Sequence, residues 1–326
     1  VLQFNAVPWN HYGYESGAYM TMDGLEALGG LSNLGIAFSR GAARQYDRPW
    51  GTHHDYSKAH TPSFTRRLYY VAYYSGSNVA DRVMRFNYPF PGFYGDPPKL
   101  TYDAEILKEF IDFTKKHPDR GVPYTPVGII LDKYHGWAPR WNAPHFIWAA
   151  FGLTAGDYMI EETLNTLFGF PEEHYHKGLV DSPPYQNYNV HTGSEEVFLT
   201  TGKFGDIYDV LLSNASSEVL SAYKLLILAG DVDISKDMAT RLKDYVRDGG
   251  TLVINVEQLN DPFDSEFVGI QLGAASGVSR KVVCTVENDI FEGDNAFYYR
   301  KAALDGAKPL MTRANGDPIA TLNEIG

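Results

Sequence analysis

Leu225-Leu-Ile-Leu-Ala-Gly230 leads through Ser235, Met238, Leu242 and Val246 to Gly249-Gly250 and then Thr251-Leu-Val-Ile-Asn255. A short apolar run closed by glycine is the pattern of a strand. Ser235 predicts an N-cap, and apolar residues recurring every four positions predict a helix with one inward stripe. The glycine pair predicts where that helix stops. Strand, capped helix, glycine stop and strand together predict a right-handed βαβ crossover in a parallel sheet.

Working outward, the apolar strand 127–131 predicts the opening of this domain. Short strands are expected over 281–286 and 296–301. Residues 117–126, His-Pro-Asp-Arg-Gly-Val-Pro-Tyr-Thr-Pro, have the composition of a linker. Upstream, Ser32 with Leu34, Phe38, Ala42 and Tyr46 predicts a helix over 32–46, ended by Pro49. Residues 49–57 predict a strand with functional groups at its carboxyl end. Thr61-Pro62 opens a helix through Phe64, Leu68, Val71 and Ala72 that stops near Gly76. A strand over 78–86, a Pro/Gly-rich loop over 87–98 and an amphipathic helix over 100–116, with Ile106, Phe110 and Phe113 inward, complete the pattern. This alternation predicts part of a (β/α)8 barrel in residues 1–122, followed by a doubly wound, flavodoxin-like domain in 123–326.

A chain of 326 residues exceeds one ordinary core and fits two domains. Net charge −12 leaves no broad cationic field, which argues against nucleic acid and anionic membrane surfaces as partners and suits a neutral or cationic substrate. A single cysteine, Cys284, excludes an internal disulfide framework and a multi-thiolate metal site. No run of about 18 apolar residues occurs, and residues 1–20 lack signal-peptide character. Val1 and the terminal stretch 319–326 are expected to be cut ends within a longer protein.

Three stretches, Phe204-Gly-Asp-Ile-Tyr-Asp-Val-Leu, Tyr223-Lys-Leu-Leu-Ile-Leu-Ala-Gly-Asp and Leu242-Lys-Asp-Tyr-Val-Arg-Asp-Gly-Gly-Thr-Leu-Val-Ile-Asn, resemble the class I glutamine amidotransferase-like domain of β-galactosidase-type glycoside hydrolases. In family 42 that module is the trimerisation domain, so the resemblance implies a homo-oligomer through the C-terminal domain. Amidotransferase chemistry needs a cysteine on a strand-to-helix elbow, and the elbow candidates Ala229-Gly-Asp-Val and Asn255-Val-Glu-Gln contain none. Cys284, in Lys281-Val-Val-Cys-Thr-Val, is expected to be a buried structural thiol. Residues 1–122 resemble the last barrel segments of clan A glycoside hydrolases, mainly through the order of elements. That resemblance implies a mechanism of two carboxylates flanking the glycosidic bond, one of them on an earlier strand outside this chain. Polysaccharide chemistry in turn implies a periplasmic or secreted parent.

The candidate site centres on Trp50, His53, His54, Asp55 and Tyr56, where a carboxylate stands beside imidazoles and aromatics as in a sugar subsite. Asp55 is the first choice of catalytic carboxylate, although a turn or N-cap aspartate is an equal reading and the clan usually uses Glu. Glu15 is the second choice, with Trp9, His11 and Tyr12 in the same aromatic stretch as expected substrate contacts; an exposed loop glutamate is the other reading. Asp81, beside Arg82, lines the pocket or closes the barrel with an ion pair. Trp137, Trp141 and His145 cover the barrel mouth or pack between domains. Adjacent strand residues point to opposite faces, so His53 and His54 argue against a shared metal, and no cofactor is expected. Glycoside hydrolysis leads; a non-catalytic carbohydrate-binding or assembly module and a polysaccharide lyase are the alternatives.

Overall fold

A computed structural model describes residues 3–5, 10–24, 32–54, 62–82, 102–137, 146–147, 151–152, 154–168, 204–259 and 263–325. The architecture is mixed α/β, with two parallel sheets and two antiparallel ones. The chain groups into two compact units, Val1–Val232 and Asp233–Gly326. The expected domain junction at 122/123 falls inside the first unit.

The first unit begins with β1 (Gln3–Asn5), α1 (Asn10–Glu15), β2 (Met20–Gly24), α2 (Ser32–Tyr46), β3 (Trp50–His54), α3 (Pro62–Tyr74), β4 (Val79–Arg82) and α4 (Tyr102–Lys116). Its four strands are parallel and lie side by side in chain order, β1-β2-β3-β4. Then follow β5 (Val127–Leu131), the short antiparallel pair β6 (Phe146–Ile147) and β7 (Phe151–Gly152), α5 (Ala155–Phe168), β8 (Tyr208–Leu212), α6 (Ser217–Ser221) and β9 (Leu225–Leu228). In this second parallel sheet β5 is flanked by β8 on one side and β9 on the other. Every residue of β5 and β8 is buried, for β5 the outcome its apolar run predicts.

Helix α2 joins the two sheets of this unit. Buried from Asn33 through Ala43, it packs Leu34, Ala37 and Phe38 with Ile129, Leu131, Val210 and Leu212. From its other side Ile36, Ala42 and Ala43 pack with Trp50, Leu68 and Ala72. Leu34, Phe38, Ala42 and Tyr46 recur at four-residue spacing on one face, but the helix is sandwiched and carries two apolar sides. Contact with β8 is close enough that a side chain at Gly41 would overlap the backbone of Val210.

Charge crosses the same contact. Asp209 on β8 has no exposure and accepts from Arg40 Nε at 2.7 Å, from Thr125 Oγ1 at 2.9 Å and from Tyr223 Oη at 2.9 Å, and it is also paired with Arg44. Arg40 further donates to Asp206 and to the Tyr208 carbonyl. Burial pulls the Arg40 pKa down, but Asp209 and Asp206 outweigh it, so the guanidinium is held more firmly protonated than usual. Burial and the Asp209 charge both push the Tyr223 phenol upward. A buried carboxylate with this many donors offsets its desolvation through the full set of hydrogen bonds.

The second unit holds α7 (Lys236–Arg247), β10 (Thr251–Val253), α8 (Ser265–Val268) and an antiparallel sheet of β11 (Ile270–Cys284), β12 (Ile290–Leu304), β13 (Lys308–Thr312) and β14 (Pro318–Leu322), in the order β12-β11-β13-β14. Ser235 caps α7 by accepting from the Met238 N–H, as expected. Gly249, at φ +94°, ends the helix, and at Gly250 any side chain would collide with the Tyr245 ring. The short strands expected over 281–286 and 296–301 prove to be parts of two 15-residue strands with two register shifts between them. Tyr299 anchors this sheet: its hydroxyl donates to Asp317, and Arg313 lies over its ring at 5.3 Å.

Two stability outcomes follow. Asp209→Ala should cost about 3–5 kcal/mol by leaving Arg40 buried without its main partner, whereas Arg66→Ala, which breaks the exposed pair with Glu109, should leave the urea midpoint unchanged. Gly41→Ala should cost roughly 1–3 kcal/mol or more through overpacking, read from the same unfolding curves.

Candidate functional site

Strand β3 alternates. Trp50 packs against α2 and α3, so Thr52 shares the helix-covered side, while Gly51 and His53 lie on the opposite face. Parallel register then sets Gly24 of β2 and Asp81 of β4 beside His53, and Met22 and Val79 beside Gly51. His54 and Arg82 occupy the next register position. The carboxyl ends of β2, β3 and β4 therefore bring a histidine and an aspartate position together across one strand boundary. His53 is partly exposed, so its imidazole is within reach of solvent and of a solute.

Trp50 lies at the other end of β3, 3% exposed, with its indole inside the core cluster. Its backbone N–H donates to Asn78 Oδ1, tying the start of β3 to the turn before β4. Trp9, Asp55 and Tyr56 lie outside the described residues, as do Trp141 and His145. Trp137 is buried and stacks on Phe38 at 6.0 Å, which agrees with the packing reading of the two weighed. Cys284, expected to be buried, is instead partly exposed, because β11 has little covering it.

Two residues from the first aromatic stretch, Tyr12 and Glu15, meet the loop after β5, residues 132–137, while a third, His11, faces β8. Tyr12 Oη donates to the Lys133 carbonyl at 2.7 Å and its ring stacks on His135 at 5.9 Å. Glu15 is exposed and pairs with Lys133 Nζ at 2.6 Å. His11 is buried, and its Nε2 donates to the Val210 carbonyl at 3.0 Å. Burial, then the neighbouring His135, push the His11 imidazole down to about 3 against the pull of that hydrogen bond; burial alone takes His135 down to about 4. Burial first, then the charges of Asp132 and Glu15, drives the Tyr12 phenol well above its usual range.

Two groups of residues thus emerge. One is the His53–Asp81 register pair at the strand ends of the first sheet. The other is the α1 contact with residues 132–137, which includes His135 and Lys133, neither of them singled out in the sequence. A hint lay in Asp132-Lys-Tyr-His135, a polar run directly after a fully apolar strand. Among the described residues no group of three His, Cys, Asp or Glu is arranged to hold a metal ion, and no helix is long and apolar enough to cross a membrane. Compared with known proteins, the chain matches no family model and none of the curated proteins.

Trp50→Ala separates packing from recognition. A core indole predicts a loss of about 3–5 kcal/mol in chemical unfolding, whereas a sugar platform predicts an unchanged midpoint with weakened oligosaccharide binding.

Proposed function

We propose that this chain is part of a glycoside hydrolase, in which β1 to β4 with their helices form late segments of a (β/α)8 barrel. The observation that carries this reading is the progressive order of four parallel strands with His53 and Asp81 side by side near their carboxyl ends. In barrels of this kind the residues that bind and transform substrate stand at those ends. Sequential order also distinguishes a barrel wall from the second sheet, where β5 lies between β8 and β9. That reversed order supports reading the second sheet as flavodoxin-like, an accessory domain without catalytic residues.

Asp55 follows directly on His54, the last residue of β3, which keeps it first choice for the carboxylate that attacks the anomeric carbon or activates water. His53 and Asp81 would hydrogen-bond sugar hydroxyls beside it. The acid that protonates the leaving oxygen comes from an earlier strand. Glu15 is the weaker carboxylate, because its ion pair with Lys133 draws it to the loop after β5. Net charge −12 fits a neutral or cationic saccharide. The reading extends to a periplasmic or secreted parent that forms homo-oligomers through the C-terminal domain.

A non-catalytic carbohydrate-binding or assembly role is the second reading, favoured by the commitment of Trp50 to packing and of Glu15 to an ion pair. Turnover of aryl glycosides and oligosaccharides by the longest natural form of the protein decides between them. Asp55→Asn should lower kcat about a thousand-fold or more while leaving binding in place, and Glu15→Gln should leave kcat within a few-fold. Binding without turnover in the wild type defeats the hydrolase reading. Products absorbing in the ultraviolet would identify a lyase instead.

A further inference from the structure

His11 and His135 come from segments more than a hundred residues apart and flank one aromatic ring. Phe38 of α2 meets His11 edge-on at 6.5 Å and His135 in tilted contact at 6.5 Å. His11 approaches from α1, and His135 from the loop 132–137 at the end of β5. The hydrogen bonds define the protonation of each ring. His11 Nε2 faces the Val210 carbonyl at 3.0 Å, so Nε2 carries the proton, and Nδ1 meets no partner among the described residues. His135 Nδ1 lies 3.0 Å from the Trp137 backbone nitrogen, so it accepts that N–H and must be unprotonated. Both imidazoles are neutral as placed.

We propose that His11 and His135 act together as an acid-sensitive latch, holding the loop 132–137 against α1 near neutral pH and releasing it as the medium acidifies. A proton added to His135 Nδ1 turns an acceptor into a donor aimed at another donor, which removes the bond that folds the loop back at Trp137. A proton added to His11 Nδ1 leaves a buried cation against the Phe38 and Tyr46 rings with no partner for the new N–H among the described residues. Two cations astride Phe38 also repel, so the first release eases the second.

The charged and titratable groups on the elements around the pair are Tyr12, Tyr14 and Glu15 on α1, Arg40, Arg44 and Tyr46 on α2, Tyr208 and Asp209 on β8, and Asp132, Lys133 and Tyr134 in the loop. Asp209 is engaged by Arg40 and Arg44, and Glu15 by Lys133, so neither carboxylate is placed to neutralise a new imidazolium. The loop's other ties include Tyr12 Oη to the Lys133 carbonyl, Lys133 N–H to Ser213 Oγ, Tyr134 N–H to Asp132 Oδ1, His135 N–H to the Asp132 carbonyl and the stack of Trp137 on Phe38. A base whose pKa is lowered by folding contributes stability that is complete above its free value, near 6.5. That contribution is lost as pH falls from there toward the folded values of about 3 for His11 and about 4 for His135. Release therefore belongs to the interval below about pH 6.5.

Hydrogen exchange between pH 7 and 4.5, corrected for the intrinsic rate, tests the latch. Amides of α1 and of residues 132–137 should lose protection by about ten-fold per pH unit for one imidazole and by up to about a hundred-fold for both, while β8 amides stay protected. His11→Gln and His135→Asn supply the same donor and acceptor without titrating, and the double variant should keep its protection flat over that range. Should one variant fold poorly, His135→Asn alone should still halve the slope. Unchanged protection in the wild type, equal acid opening in the double variant, or simultaneous loss throughout β8 would each overturn the latch. Glu15→Gln should leave the pH slope as it is; a slope abolished there would assign the response to the Lys133 ion pair and defeat it as well.

Discussion

Asp209 is a carboxylate with no exposure in the middle of an otherwise apolar strand, and the first unit is organised around it. Desolvating one carboxylate costs several kcal/mol, so the fold must bring donors to it. Arg40 and Arg44 reach it from α2, Thr125 from the segment before β5, and Tyr223 from the residue pair before β9. Those donors come from the first sheet's helix layer and, in the second sheet, from the segments that lead into the central strand β5 and into β9. Satisfying one charge therefore fixes how α2 lies on β8, and Gly41 permits the approach by having no side chain to hold the backbones apart. Hydrophobic burial of Leu34 and Phe38 supplies most of the attraction, since it is non-directional and scales with area. The charge network supplies the register.

Because α2 is held in that position, the two ends of β3 have different surroundings. Its start is roofed by α2 and α3, which takes Trp50 into the core, while His53 near its carboxyl end lies on the face away from those helices, partly exposed beside the Asp81 position. The same placement of α2 carries Phe38 toward the loop after β5, where His11, Tyr12 and His135 gather around it. The candidate sugar site and the acid-sensitive contact both depend on the α2–β8 joint. They meet different solvent, however, and use different chemistry.

The antiparallel sheet of the second unit rests on another balance. Strands β11 and β12 are long and mostly exposed, with Val278 at 51% and Tyr298 at 83% on paired positions. With little core to bury, the sheet relies on cross-strand pairs and on Tyr299, held by Asp317 and Arg313. Such strands show no clean alternation, which is why the sequence displayed only their more apolar stretches.

Periodicity and end signals determined much of this protein directly. Helices α2, α3, α4 and α7, strands β3, β4, β5 and β9, the Ser235 cap and the Gly249 stop are local features, set by a period of 3.6 or 2 and by backbone chemistry within a few residues. The short runs that predict β3 and β4 place His53 and Asp81 near strand ends, while the parallel register that sets them side by side is not a local feature. Tertiary structure alone decided that α2 is buried on two sides, that Arg40 and Arg44 find Asp209, that Glu15 and Tyr12 turn to residues 132–137, and that His11 turns to Val210. Those pairings join positions separated by more than a hundred residues. Their geometry comes from packing two sheets on one helix, and no local spacing in the sequence encodes a contact made across that distance.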